Sequence, residues 1–127
     1  MIEPKIAREV AEGMVDGWAS DLGASLGADG RETLIAATMA GRLDYLDGSF
    51  RVRLVSPIKR DSGQTFTEFT MVEPTAGQLR DSAKGDRDKL DAALRLISAT
   101  TGQPLALIEC LKQRDLLVFS ELIGFFS

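Results

Sequence analysis

The sequence contains no histidine among its 127 residues and only one cysteine, Cys110. Because histidine is missing, catalysis and metal binding that depend on an imidazole are excluded. A single cysteine excludes a disulfide within the chain and favours a reducing compartment. Cys110 lacks the partner residues of a reactive thiol, so we expect a small buried side chain. These absences predict a protein that is not an enzyme and that uses no cofactor or metal.

Clustered positive charge and long apolar runs are also missing. The 15 basic residues are outnumbered by 19 acidic ones, and residues 1–49 hold 9 acidic residues against 4 basic ones. Nucleic acid is therefore not expected as a partner, because phosphate binding needs clustered cations. No apolar run approaches the roughly 20 residues that span a bilayer. Three glutamates in the first fifteen residues also argue against a signal peptide. We expect a cytosolic protein with no membrane partner.

The first part of the chain has an apolar residue at every fourth position. This spacing favours a helix, but the stripe drifts by about 40° per step, so its members cannot all face one flat partner. Glycines at positions 13, 17, 23 and 27 indicate that the helix breaks. The stripe consists of Ile2, Ile6, Val10, Met14, Trp18, Leu22 and Leu26.

A second helix is predicted from the capping pair Asp29 and Glu32. Its apolar face continues to Leu46, and the dipeptide Asp47-Gly48 is expected to end it.

From residue 50 the apolar period changes to two, which is typical of strands with one wet face. We expect a β-hairpin at about 50–58 and 64–72, with Pro57 closing the first strand and a bulge near Thr67. A lone hairpin is marginally stable in water, so it must pack on helices or pair with another copy.

Helices are predicted for the rest of the chain. Thr75 and Gln78 form a capping box, Asp86 can cap a longer helix, and Gly102 can end it. The last segment, residues 112–126, is the most apolar. The predicted fold class is α+β, mostly helical, with the hairpin packed on the C-terminal helices. We divide the chain into an acidic helical arm, residues 1–49, and a core, residues 50–127.

The excess of apolar side chains points to a surface that binds another protein. Phe119, Ile123 and Phe126 share one helix face, and core packing is the alternative for each residue. The apolar stripes of the first and last helical segments are too broad to be covered by one neighbouring element, which favours contact with another chain. The candidate partner-binding residues are Phe119, Ile123, Phe125, Phe126, Trp18 and Leu22.

The order of short motifs after residue 50 resembles the tail assembly chaperone family of long-tailed bacteriophages and prophages. The residues that carry this resemblance are 54–58 (LVSPI), 74–80 (PTAGQLR), 101–104 (TGQP), 111–116 (LKQRDL) and 124–125 (GF). Residues 1–49 are not covered by it.

The resemblance implies a non-enzymatic chaperone that acts in the host cell cytoplasm. Such a protein would bind the tape measure protein, help to recruit tail tube subunits, and be absent from the mature virion. A homo-oligomer is expected on separate grounds, from the broad apolar surface of residues 2–26 and 116–126 and from a hairpin too small to stand alone. Two other functions stay open: a small acidic bacterial adaptor or secretion chaperone, and a minor tail structural subunit. A tape measure gene immediately downstream would favour the tail chaperone, whereas secretion genes would favour the adaptor.

Overall fold

The computed structural model describes residues 6–85 and 88–126, and it confirms an α+β fold that is mostly helical. The helices are α1 (Arg8–Leu22), α2 (Ala28–Met39), α3 (Ala76–Ser82), α4 (Lys89–Thr101), α5 (Leu105–Ile108) and α6 (Gln113–Phe125). The strands β1 (Leu43–Leu46), β2 (Ser49–Lys59) and β3 (Thr65–Val72) form an antiparallel sheet in the order β1-β2-β3. Within the described residues, no helix is long and apolar enough to cross a membrane.

The first helix ends where the glycine pattern predicts a break. Gly23 follows α1 with φ of 67°, a left-handed conformation that costs glycine little. Val10 of the stripe is 56% exposed, whereas its members Ile6, Trp18, Leu22 and Leu26 pack against the core. The expectation that the four-residue stripe cannot face a single partner is therefore confirmed for its described members. Ile2, the first member, lies outside the described residues.

The strand β1, which the sequence does not predict, lies in the second half of the helix predicted from residue 29 to residue 48. The chain leaves the helical conformation after Met39, and β1 then pairs with β2. Asp47 and Gly48, predicted to end the helix, form the turn between these strands with φ of 52° and 83°. Two positive φ values are characteristic of the type I′ turn, whose twist matches that of the flanking strands. The predicted helix is thus wrong beyond Met39, and the sheet has one strand more than the predicted hairpin.

The predicted start of the second helix is also wrong in detail. The residue before α2 is Gly27, which makes no side-chain cap, and Asp29 lies within the first turn. Glu32 accepts a hydrogen bond from the Arg8 guanidinium at 2.6 Å instead of reaching back to the helix start. This pair connects α2 to α1.

The later helices start and end mostly as predicted. Thr75 and Gln78 form a complete capping box at α3, with donor–acceptor distances of 3.1 and 3.0 Å. Gly102 ends α4 in the left-handed conformation. The cap of α4 is Asp88. The predicted cap, Asp86, lies outside the described residues.

The sheet has one buried face and one wet face. Leu43, Val52 and Phe69 lie opposite one another across the three strands and are buried. Since side chains alternate along a strand, Arg51 and Thr70 point to the other face and are exposed. The alternation that predicts a strand from residue 50 is therefore confirmed, and the buried face joins the core.

The pairing of β2 with β3 is irregular where a bulge is predicted near Thr67 of β3, but the extra residues belong to β2. Arg53 pairs with Glu68 and Ile58 pairs with Phe66, so residues 54–57 lie opposite Thr67 alone. β2 continues through Pro57 to Lys59, so the prediction that this proline closes the strand is wrong.

A buried carboxylate accepts the hydrogen bonds that this irregular segment cannot make to β3. Asp115, which has no exposed surface, accepts from the Val55 N–H at 2.8 Å and from the Ser56 N–H at 3.1 Å. The Arg42 guanidinium lies 4.0 Å from the same carboxylate. Asp115 also occupies the first turn of α6, where the helix dipole favours negative charge. This side chain therefore fixes the N-terminal end of α6 against the middle of β2.

The segment before residue 50 packs into the same core as the rest of the chain. Val15 of α1 and Leu34 of α2 are fully buried in one cluster with the sheet and α6. Arg31 joins the two helices by donating two hydrogen bonds of 2.9 Å to the Asp16 carboxylate, which holds the pKa of Asp16 below its ordinary value. Together with the β1–β2 pairing, these contacts join the described part of the arm to the core, and the boundary between residues 49 and 50 stays a prediction.

Replacing Asp115 with asparagine should destabilise the fold. The amide would offer one acceptor oxygen to two buried N–H groups, and an unsatisfied buried donor costs about 1–3 kcal/mol. We expect the free energy of unfolding, measured by urea denaturation, to fall by that amount in Asp115→Asn. Asp61→Asn is the matched control, because Asp61 is exposed in the β2–β3 turn. Equal stability of the two variants would contradict the anchoring role.

A fragment of residues 50–127 should lose cooperative unfolding. It lacks β1 and the buried side chains of α1 and α2, and each large buried aliphatic side chain contributes about 2–5 kcal/mol. Thermal melting of the fragment and the full chain, followed by circular dichroism, measures this. A fragment that melts as cooperatively as the full chain would support the boundary predicted at residues 49 and 50.

Candidate functional site

Five aromatic rings from four elements meet at one end of the core. Phe50 of β2 is fully buried at the centre. Around it lie Trp18 at 5.7 Å, Tyr45 at 4.6 Å, Phe125 at 5.4 Å and Phe126 at 5.8 Å, measured between ring centroids. Tilted and edge-to-face pairs at such distances contribute beyond simple burial. The cluster thereby brings together residues from α1 and from the C-terminal segment, which the sequence predicts separately as partner-binding.

Phe119 and Phe125 are core residues, which corrects their prediction as binding surface. Phe119 has no exposed area, and its ring centroid lies 6.2 Å from that of Phe69 on the buried face of the sheet. Phe125 is 2% exposed and packs on Phe50. Both side chains point from α6 towards the sheet, so neither can reach a partner in this conformation.

The other predicted residues keep part of their surface in solvent. Trp18 and Leu22 lie one turn apart on α1, Ile123 lies on α6, and Phe126 follows that helix. All four pack against the core and are partly exposed. With Tyr45, which is also partly exposed, they form what we call the aromatic surface, defined as Trp18, Leu22, Tyr45, Ile123 and Phe126.

The sequence does not predict that Tyr45 belongs to this surface or that Phe50 supports it from the core. The helical apolar spacing of Leu43 and Leu46 places Tyr45 in the second helix instead of on a strand. The dipeptide Asp47-Gly48 followed by alternating apolar residues is a hairpin signal, and it could have placed Tyr45 on a strand.

The described residues place no cluster of metal ligands together, and the single cysteine lies at the surface. No group of three or more cysteine and carboxylate side chains is placed to hold a metal ion in that part of the chain. Cys110 is exposed and its sulfur lies 3.4 Å from the Arg60 guanidinium, so the expectation that it is buried is wrong. The reason is that α5 directs Leu107 and Ile108 into the core, which leaves Cys110 outside.

Comparison with known proteins gives one match. A family model described as "Phage tail assembly chaperone proteins, E, or 41 or 14" matches residues 51–127, more than half of the chain. No significant match was found among curated proteins or among solved structures. The matched region contains most of β2, together with β3 and α3 to α6, and it includes the Asp115 anchor and two members of the aromatic surface. The chain belongs to the phage tail assembly chaperone family.

Proposed function

We propose that this protein is a non-enzymatic chaperone that binds the tape measure protein through the aromatic surface and helps to recruit tail tube subunits. The observation that carries the proposal is a group of large apolar side chains that pack against the core and remain partly exposed. Family membership supports a role in tail assembly, and interaction with tail proteins follows from that role. The chaperone would act in the host cytoplasm and be absent from the mature virion.

The geometry is suited to covering an apolar helical segment of a client. The ring centroids of Trp18 and Tyr45 lie 6.3 Å apart. Both rings pack on Phe50, and Phe126 contacts Phe50 from the end of α6. Aromatic anchors that are already held in place lose little side-chain entropy on binding. The formal net charge of −4 would help to keep a complex with an aggregation-prone client dissolved.

The aromatic surface combines the family region with the segment that precedes it. Ile123 and Phe126 lie within residues 51–127, whereas Trp18, Leu22 and Tyr45 do not. We therefore propose that the N-terminal segment contributes directly to client binding, in addition to its contribution to the core.

We also propose that the protein self-associates through the wet face of the sheet. Leu46 and Val72 flank Ser49 in one row across the three strands and are 59% and 44% exposed. A second copy would remove these side chains from water.

Charged substitutions in the aromatic surface should weaken client binding more than they weaken the fold. Ile123→Asp and Phe126→Asp place a carboxylate where the client would bury apolar area, so we expect affinity to fall by about tenfold or more, which is at least about 1.4 kcal/mol. Leu117→Asp is the matched control on α6, because Leu117 is 46% exposed and lies outside the aromatic surface.

Capture of the tape measure protein and the melting temperature are measured for all three variants. Reduced capture by Ile123→Asp and Phe126→Asp, with capture by Leu117→Asp unchanged, supports the proposal. Lower stability with normal binding by the folded fraction would contradict it and assign both residues to the core alone.

A further inference from the structure

The segments that build the aromatic surface carry negative charge and no positive charge. Residues 9–30, 43–50 and 115–126 contain five, two and two acidic residues, and no lysine or arginine. They supply every member of the aromatic surface: Trp18, Leu22, Tyr45, Ile123 and Phe126. Asp115 is buried and Glu12 and Asp16 are paired with Arg31, so a partner that docks here meets only the exposed carboxylates that remain.

Three exposed carboxylates lie on the elements that carry the aromatic surface or at the same end of the sheet. Asp21 precedes Leu22 and lies three residues after Trp18, which makes it a neighbour of that ring on α1. Asp47 lies in the turn that follows β1. Glu73 follows Val72, whose pairing with Ser49 places it at the same end of the sheet.

In the part of the chain that the structure describes, these carboxylates are not paired with cations. Among residues 6–85 and 88–126, no ion pair or hydrogen bond involves the side chain of Asp21, Asp47 or Glu73. Glu12 and Asp16 of α1 differ in this respect, since both are paired with Arg31. Arg51 follows Phe50 in sequence, but strand alternation directs its side chain to the opposite face of the sheet.

We propose that the aromatic surface binds a cationic amphipathic helix, in which lysine or arginine side chains flank the apolar face. Such a helix can bury its apolar side chains on the surface while its cations approach the three carboxylates. Ammonium or guanidinium groups can also stack on the partly exposed Trp18 and Tyr45 rings. An anionic helix would instead be repelled. This inference rests on the proposed function, because it specifies the chemistry of the client segment.

Synthetic peptides test the charge preference directly. Three helical peptides of about 18 residues, or five turns, share one leucine face and differ only in polar positions, which are lysine, glutamine or glutamate. Their affinities for the full chain are measured by isothermal titration calorimetry at low and high salt. We expect the lysine peptide to bind at least about tenfold more tightly than the glutamate peptide at low salt, and the difference to shrink at high salt.

Charge-reversal variants locate the preference on the protein. In Asp21→Lys/Glu73→Lys, affinity for the lysine peptide should fall by about tenfold and affinity for the glutamate peptide should rise. The control Asp61→Lys/Glu109→Lys changes net charge equally at exposed positions in the β2–β3 turn and at the end of α5. Asp47 is left unchanged, because its φ of 52° would strain a lysine. Melting temperatures verify that both variants fold.

The inference is overturned if the lysine and glutamate peptides bind equally, or if the control variant loses as much affinity as the test variant. Either result would leave the proposed function intact, because capture of the tape measure protein is measured separately with Ile123→Asp and Phe126→Asp. Conversely, a charge preference located at Asp21 and Glu73 would stand even if tape measure capture failed.

Discussion

The buried Asp115 carboxylate is the contact on which the arrangement of sheet and helices depends. Its two oxygens accept from the N–H groups of Val55 and Ser56, in the part of β2 that loses its regular pairing with β3. Buried N–H groups without acceptors are costly, so the irregular strand and the start of α6 require each other. With that end of α6 fixed, its last turn places Phe125 and Phe126 against Phe50.

The aromatic surface is therefore a consequence of core architecture. Phe50 supports rings from α1, β1 and the end of α6, and its burial requires all three elements. Asp21 on α1 and Asp47 in the turn after β1 form no ion pair within the described residues, so we propose that apolar contact and electrostatic preference arise at one place. A chaperone that must hold a client segment and later release it benefits from such a surface, because rim charges affect recognition without adding much buried area.

Local signals in the sequence are sufficient for part of this description. The Thr75–Gln78 capping box, the end of α4 at Gly102 and the β2–β3 hairpin depend on neighbouring residues and are predicted correctly. The strand β1 is missed because Leu43 and Leu46 fit both a helical and an extended spacing. The role of Asp115 cannot be predicted, since its oxygens serve a strand 60 residues away. For the same reason Phe119 is predicted at the surface, although the sheet covers it.

Fluorescence of Trp18, the single tryptophan of the chain, tests the central claim most directly. The measurement titrates a tryptophan-free segment of the tape measure protein into the chaperone and follows tryptophan emission, with calorimetry as an independent measure of binding. If the client covers the aromatic surface, emission should shift to shorter wavelength and saturate at the calorimetric stoichiometry, because the partly exposed indole loses contact with water. Calorimetric binding with unchanged Trp18 emission would contradict the account and place the client elsewhere on the chaperone.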